Sequence, residues 1–263
     1  MKGILCYYSS TGNTKLACQY IEKNLKNIEF DLFDIIKDGI PDLSAYAVVG
    51  FAAFADFGAP SYLVQDFIGK LSAQKMKAGV VINTYGFIGG KTLRVLNKWV
   101  AEKGFDVIAG YSLHTPESYP PMIVGGRGYE KAPNEKEMAK FNEFISNLDK
   151  QFLDLAANKP VKKSKIKIGL LNSLIPPFAR TKARDDMGEK FVDVALCTKC
   201  GICEKGCPYN AILLNPTPVF DMTKCYGCWR CFNKCPQKAI YTKKGSSRFR
   251  VGNLKLHLSP VPS

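Results

Sequence analysis

Cys197-x-x-Cys200-x-x-Cys203-x-x-x-Cys207-Pro208, followed by Cys225-x-x-Cys228-x-x-Cys231-x-x-x-Cys235-Pro236, holds eight of the chain's ten cysteines. The second run repeats the first at an offset of 28 residues, and Lys238-Ala239-Ile240 after it answers Asn210-Ala211-Ile212. A zinc site takes four ligands, usually as two separated Cys-x-x-Cys pairs. Three cysteines at spacing three, then Cys-Pro, fit zinc poorly. Disulfide frameworks belong to small secreted chains. This chain has 263 residues, and its opening Met1–Tyr8 is too short in apolar residues for a signal peptide.

Iron–sulfur ligation suits the spacing. Three thiolates two residues apart let a short, tightly wound segment wrap one cubane. The fourth follows a short helical turn, which the proline stops. The pattern resembles that of bacterial ferredoxins with two [4Fe–4S] clusters, in which the fourth cysteine of each run ligates the other cluster. The resemblance implies Cys197, Cys200, Cys203 and Cys235 as ligands of cluster one, and Cys225, Cys228, Cys231 and Cys207 as ligands of cluster two. Phe191–Ala195 and Ile240–Lys243 should then pair as strands. Ile212–Leu214 and Val219–Asp221 should form a hairpin.

Outside this stretch, the chain is long enough for one or two domains and, at 46% hydrophobic, can bury a real core. No run of about 18 apolar residues is present, so no membrane-spanning helix is expected, and the expected location is cytoplasmic. Charge is uneven. Residues 1–158 hold 17 Lys+Arg against 17 Asp+Glu, whereas 159–263 hold 20 against 6, which is the whole net +14. That shift marks a boundary near residue 158. A basic surface steers acidic partners. Nucleic acid is the other usual reading, but no nucleic-acid module is visible. A plainly solvated surface accounts for part of the charge.

Residues 1–158 alternate strand and helix. Gly3–Tyr8 is a short apolar run that opens through Ser9, Ser10, Thr11, Gly12, Asn13 and Thr14 into apolar residues at helical spacing (Ala17, Tyr20, Ile21, Leu25). Backbone N–H groups and hydroxyls at such a helix start suit a phosphate. Neither Gly-x-x-x-x-Gly-Lys-Ser/Thr nor Gly-x-Gly-x-x-Gly follows the strand. The loop resembles the flavodoxin fingerprint Ser/Thr-x-Thr-Gly-x-Thr, which binds the phosphate of FMN. Further strands are expected at Phe30–Ile35, Ala45–Phe51, Gly79–Thr84 and Phe105–Tyr111, with helices near 61–72, 90–103 and 135–157. That order predicts βαβ units and a flavodoxin-like, doubly wound α/β domain with a five-stranded parallel sheet. Ligands of such sheets lie past the carboxyl ends of the strands. The loops after strands three and four are therefore the isoalloxazine candidates: Ala53, Phe54, Phe57 and Gly58 from one, and Thr84, Tyr85, Gly86, Phe87, Gly89 and Gly90 from the other. Which of Phe54, Phe57, Tyr85 and Phe87 stack on the ring stays open.

Residues 111–134 form a long loop, expected to contact flavin or partner; Gly125–Gly128 is a weak phosphate candidate. His114 at its start is more readily a structural histidine than an acid/base. Cys6 is expected in the core, and Cys18 off the main apolar face of the first helix. Residues 159–190 read as a basic amphipathic linker, with a helix over 162–178 that docks between domains or, less favourably, lies on a membrane surface. Residues 191–243 form the small α+β ferredoxin domain, and 244–263 a basic tail.

The whole order resembles the flavodoxin–ferredoxin fusion proteins of EFR type from anaerobic archaea and bacteria. The resemblance implies FMN, two [4Fe–4S] clusters and electron transfer between one- and two-electron partners. Those partners would be soluble redox proteins, acidic in surface (a ferredoxin, a flavodoxin or an oxidoreductase). Lysines and arginines around the clusters favour their reduced, more negative state. Two alternatives remain: an FMN-dependent reductase of a quinone or nitro compound fed by the clusters, and a redox sensor that binds a partner protein. If flavin and clusters lie too far apart in one chain, a homodimer completes the path.

Overall fold

The computed structural model of the protein describes residues 1–166, 172, 174, 179 and 181–242. The linker helix expected over 162–178 lies largely outside the described residues, and the tail 244–263 wholly so. The chain divides into two compact units.

The first unit takes residues 1–116 and resumes at 131. Its strands are β1 (Lys2–Tyr7), β2 (Glu29–Asp34), β3 (Val48–Phe54), β4 (Lys77–Tyr85) and β5 (Phe105–His114). They form one parallel sheet in the order β2-β1-β3-β4-β5. One row across it reads Phe30, Gly3, Val48, Ala78, Asp106. This is the flavodoxin-like doubly wound order, whose switch point lies between β1 and β3.

Period-two alternation sends side chains to both faces, and each face is covered. Leu5, Tyr7, Val48, Ala52, Val80 and Ile82 pack beneath α1 (Asn13–Asn24) and α5 (Glu135–Ala156). Ile4, Cys6, Val49, Phe51 and Val81 pack beneath α2 (Tyr62–Lys70) and α3 (Thr92–Glu102). The α5 face is the one its spacing predicts: Met138, Phe141, Ile145, Leu148 and Phe152 are buried. Asn134 caps that helix and Glu137 answers, a reciprocal capping box. Each fully buried aliphatic or aromatic side chain contributes about 1.5–3 kcal/mol.

Three expectations need correction. Strand three begins at Val48 and runs on to Phe54, because Ala53 pairs with Asn83 and Phe54 with Thr84; Ala53 and Phe54 are strand residues, not loop. Strand five runs on to His114, held by pairing with Tyr85. Cys18 lies on the buried face of α1, fully enclosed with Ala17 and Ile21. Burial pushes its thiol far up, and that of Cys6 likewise.

The second unit takes residues 117–130 and the described residues from 181 to 242. Here β6 (Lys190–Val192) pairs antiparallel with β9 (Ile240–Thr242), and β7 (Ile212–Leu214) with β8 (Pro218–Phe220). The 28-residue offset carries β6 onto β8 and β7 onto β9, so the sequence repeat is a structural repeat. It extends to the backbone. Lys199 and Gly227, Gly201 and Trp229, and Asn210 and Lys238 all have positive φ, each pair 28 apart. Strand β8 stops at Phe220 because the Asp221 carboxylate accepts from the Thr223 and Lys224 amides and opens a turn.

Residues 117–130 were expected with the first domain. They fold instead into the second unit, with α4 (Pro120–Val124) between them. The Glu117 amide donates to the Gly128 carbonyl and closes the loop. The Tyr119 hydroxyl donates to Asp186 at 3.0 Å, on α6 (Lys182–Met187). Asn233 donates its side-chain N–H to the Ser118 carbonyl at 3.1 Å.

Candidate functional site

The second unit is built around two cavities. One is lined by Cys197, Cys200, Cys203 and Cys235. The other is lined by Cys225, Cys228, Cys231 and Cys207. Each therefore gathers three thiols of one run and the fourth of the other, which is the crossed arrangement the ferredoxin resemblance implies.

Local structure explains how the thiols come to face inward. Four residues before each run stands an aspartate, Asp193 or Asp221, whose carbonyl accepts from the first cysteine's amide, at 3.1 Å to Cys197 and 3.0 Å to Cys225. The positive-φ residues then reverse the chain between cysteines. Short helices follow, α7 (Ile202–Lys205) and α8 (Arg230–Lys234). The last sulfur of each run accepts from the amide four residues on: Ala211 N–H to Cys207 Sγ at 3.3 Å, Ala239 N–H to Cys235 Sγ at 3.4 Å. These paired details were legible at the same offset but went unread: Asp193 and Asp221 stand 28 apart as the cysteines do.

All ten cysteines are thiols here. Among the described residues, no three His, Cys, Asp or Glu side chains converge as a lone metal ion requires. Burial pushes the Cys228 thiol up to about 11 and Cys231 further, while Lys190 pulls both back. Burial raises Cys203 as well. A metal that binds these sulfurs displaces their protons, and its affinity carries that cost.

The first unit holds a second candidate site at the carboxyl ends of β1, β3 and β4. Residues 9–12 leave β1, and α1 starts at Asn13 with no side chain capping it and no acid in its first turn. Gly12 sits at φ 127°, where a side chain is strained. The first-turn amides are thus left for an anion. Thr14 is buried, its hydroxyl 2.9 Å from that of Thr84 at the end of β4. Asn13 donates to the Pro116 carbonyl at 2.9 Å. Ser10 is buried; Ser9 and Thr11 are half-buried.

The other two loops meet each other. The Ala55 amide donates to the Thr84 carbonyl at 2.8 Å. Gly58 and Gly90 touch so closely that a Cβ on Gly90 would lie 2.5 Å from the Gly58 Cα. The Gly90 amide donates to Asn172 at 3.1 Å, a partner the sequence reading did not anticipate. A Cβ on Gly89 would press the Tyr85 ring at 3.3 Å.

The four candidate aromatics part company. Phe54 packs on Tyr8, centroids 5.2 Å apart. Tyr85 stacks on His114 at 5.2 Å. Phe57 sits at φ 54°, half-buried, beside Gly58, and Phe87 is exposed. Gly86 is half-buried between them in sequence. His114 Nδ1 lies 2.9 Å from Glu137 Oε1, so the structural reading of this histidine describes its surroundings.

Comparison with known proteins falls on both units. Residues 196–239 match the family model of the 4Fe-4S dicluster domain. The cofactors of the second unit are accordingly two [4Fe–4S] clusters. Among solved structures, the chain is similar to a flavodoxin from the domain Archaea, at 15% identity over 58% of this chain and 99% of that one, with a TM-score of 0.44. It is similar to a Fusobacterium nucleatum flavodoxin bound to flavin mononucleotide, at 17% identity over 57% and 98%, TM-score 0.43. A third is the two-electron reduced Megasphaera elsdenii flavodoxin, at 23% identity over 43% and 85%, TM-score 0.36. No curated protein matches the chain. Among the described residues, no helix is long and apolar enough to cross a membrane.

Proposed function

We propose that the protein is an electron-transfer flavo-iron–sulfur protein that links one-electron and two-electron redox partners. The observation that carries this reading is the pair of cavities, each lined by three cysteines of one run and one of the other. Cys197, Cys200, Cys203 and Cys235 would hold cluster one; Cys225, Cys228, Cys231 and Cys207 would hold cluster two. The Ser9–Thr14 loop, with its uncapped helix start and its contact with Thr84 at the end of β4, would hold the phosphate of FMN. When bound, FMN supplies one- or two-electron chemistry and each cluster supplies one-electron chemistry.

The chain's own residues bind, orient and tune. Gly12 lets backbone approach the phosphate, and Thr14 and Thr84 present hydroxyls beside it. The close approach of Gly58 and Gly90 joins the two loops that would flank the ring, and Phe57 and Phe87 lie on those loops. The Ala211 and Ala239 amides direct hydrogen bonds at ligand sulfurs. Partners would be redox proteins of acidic surface, drawn by the +14 that resides in 159–263; a cytoplasmic location accords with free thiols. The charge shift supports a limit near residue 158, with 117–130 folding into the second unit; the further limits 159–190, 191–243 and 244–263 belong to the same proposed reading.

The test is an anaerobic stepwise reduction of the reconstituted protein with a one-electron donor. The reading expects flavin absorbance and cluster absorbance both to bleach, with electrons re-equilibrating between them within the sample. Flavin that stays oxidised while the clusters are fully reduced would overturn it.

A further inference from the structure

The two halves of the repeat are not chemically equal. Lys190 opens β6 and is only 4% exposed. Its ammonium donates to the sulfur of Cys225 at 3.1 Å and lies 4.3 Å over the ring of Trp229. A lysine is almost never this buried without such partners. At the 28-residue offset, Lys190 falls on Pro218, which lines the first cavity and offers no donor. Trp229 falls on Gly201, which offers no ring. Lys199 lines the first cavity but is exposed; among the described residues, the buried cation and its aromatic seat thus belong to the Cys225, Cys228, Cys231, Cys207 cavity. Arg184 adds to the asymmetry by donating to the Cys225 carbonyl at 3.4 Å.

One-electron reduction adds a negative charge that the cluster sulfurs share. Hydrogen bonds to the sulfurs and local net charge set how costly that is, and a buried charge acts more strongly than one in water. Enclosure acts in the other direction. The second cavity is walled by Tyr209, Tyr226 and Trp229, and excluding water disfavours the added charge. Lys190 is the group placed to offset that at the sulfur itself.

We propose that Lys190 is a potential-setting residue for cluster two alone: its hydrogen bond to Cys225 raises the reduction potential of that cluster and makes the two clusters inequivalent. This rests on the two-cluster reading above.

The test uses the full chain, reconstituted anaerobically, in redox titrations followed by electron paramagnetic resonance. Wild type, Lys190→Met and Lys190→Arg are compared, each with its iron count. Lys190→Met should lower the midpoint of one cluster and leave the other in place, and Lys190→Arg should bring it back toward wild type. Equal movement of both clusters, or of neither, at full iron content would overturn the proposal. A second measurement needs no variant. Wild-type protein labelled with ¹⁵N-lysine should show nitrogen coupling to one reduced cluster. Absence of any lysine coupling would overturn the proposal even if Lys190→Met fails to load iron. A wild-type protein that shows no cubane signal at all, and no matching iron, overturns instead the cluster reading beneath it.

Discussion

The two units differ in what fills their middle. In the first, two apolar layers sandwich a parallel sheet, and side chains such as Phe51, Phe141 and Phe152 are fully enclosed. In the second, strands are three residues long, and the centre is two cavities walled by thiols. Leu213 and Val219 face outward at 61% and 56% exposure. Hydrophobic burial holds the first together; the second needs its clusters as an interior. A small domain with too little apolar core commonly depends on metal in this way.

The largest expected effect tests that contrast. Chelating iron from the holo protein should strip hydrogen-exchange protection from β6–β9 while β1–β5 keep theirs. Protection that persists in β6–β9 without iron would mean the second unit has a sufficient core of its own. Next comes a core truncation in the other unit. Phe141→Ala, on the buried face of α5, should cost about 3–5 kcal/mol in urea unfolding of the first unit and leave the iron count unchanged.

Thr14→Val probes the proposed phosphate loop. A hydrogen bond to a charged group contributes about 1.5–3 kcal/mol, so FMN affinity by fluorescence titration should fall roughly 10- to 100-fold. Unchanged affinity would move the flavin away from this loop.

The smallest effect separates the halves of the repeat. Hydrogen bonds from the Thr223 side chain, first, and then from Lys224 hold the exposed Asp221 carboxyl down at about 2, against an ordinary 3.8. A carboxyl lowered in the folded state stabilises it above its ordinary value and loses that contribution as pH falls toward about 2. Acid should therefore loosen the Asp221–Cys225 turn across that window, and Asp221→Asn should flatten the dependence. Tyrosine and tryptophan fluorescence from Tyr226 and Trp229 reports it.

Much of this was legible in residues. The cysteine offset announced the ferredoxin-like half, and alternating strand and helix patterns announced the sheet, since both rest on periodicity. What periodicity cannot see is where pairing ends. Ala53, Phe54 and His114 looked like loop because their own neighbourhood turns irregular, yet partners across the sheet extend the strands. Cys18 looked peripheral because Ala17, Tyr20, Ile21 and Leu25 already define an apolar face at helical spacing; the buried face of α1 is wider than that and takes in Cys18. The placement of 117–130 rests on Ser118 and Tyr119 meeting Asn233 and Asp186, contacts more than 60 residues distant that no local pattern encodes. Lys190 read as one more basic residue; only comparison with Pro218 at the repeat offset would have marked it.

The most direct test of the central claim is the composition of the protein purified anaerobically. The account predicts about eight irons and as much labile sulfide per chain, from two cubanes, with one FMN after reconstitution. Tightly held zinc in place of iron, or iron that exchange of Cys207 and Cys235 for serine leaves at full count, would contradict it.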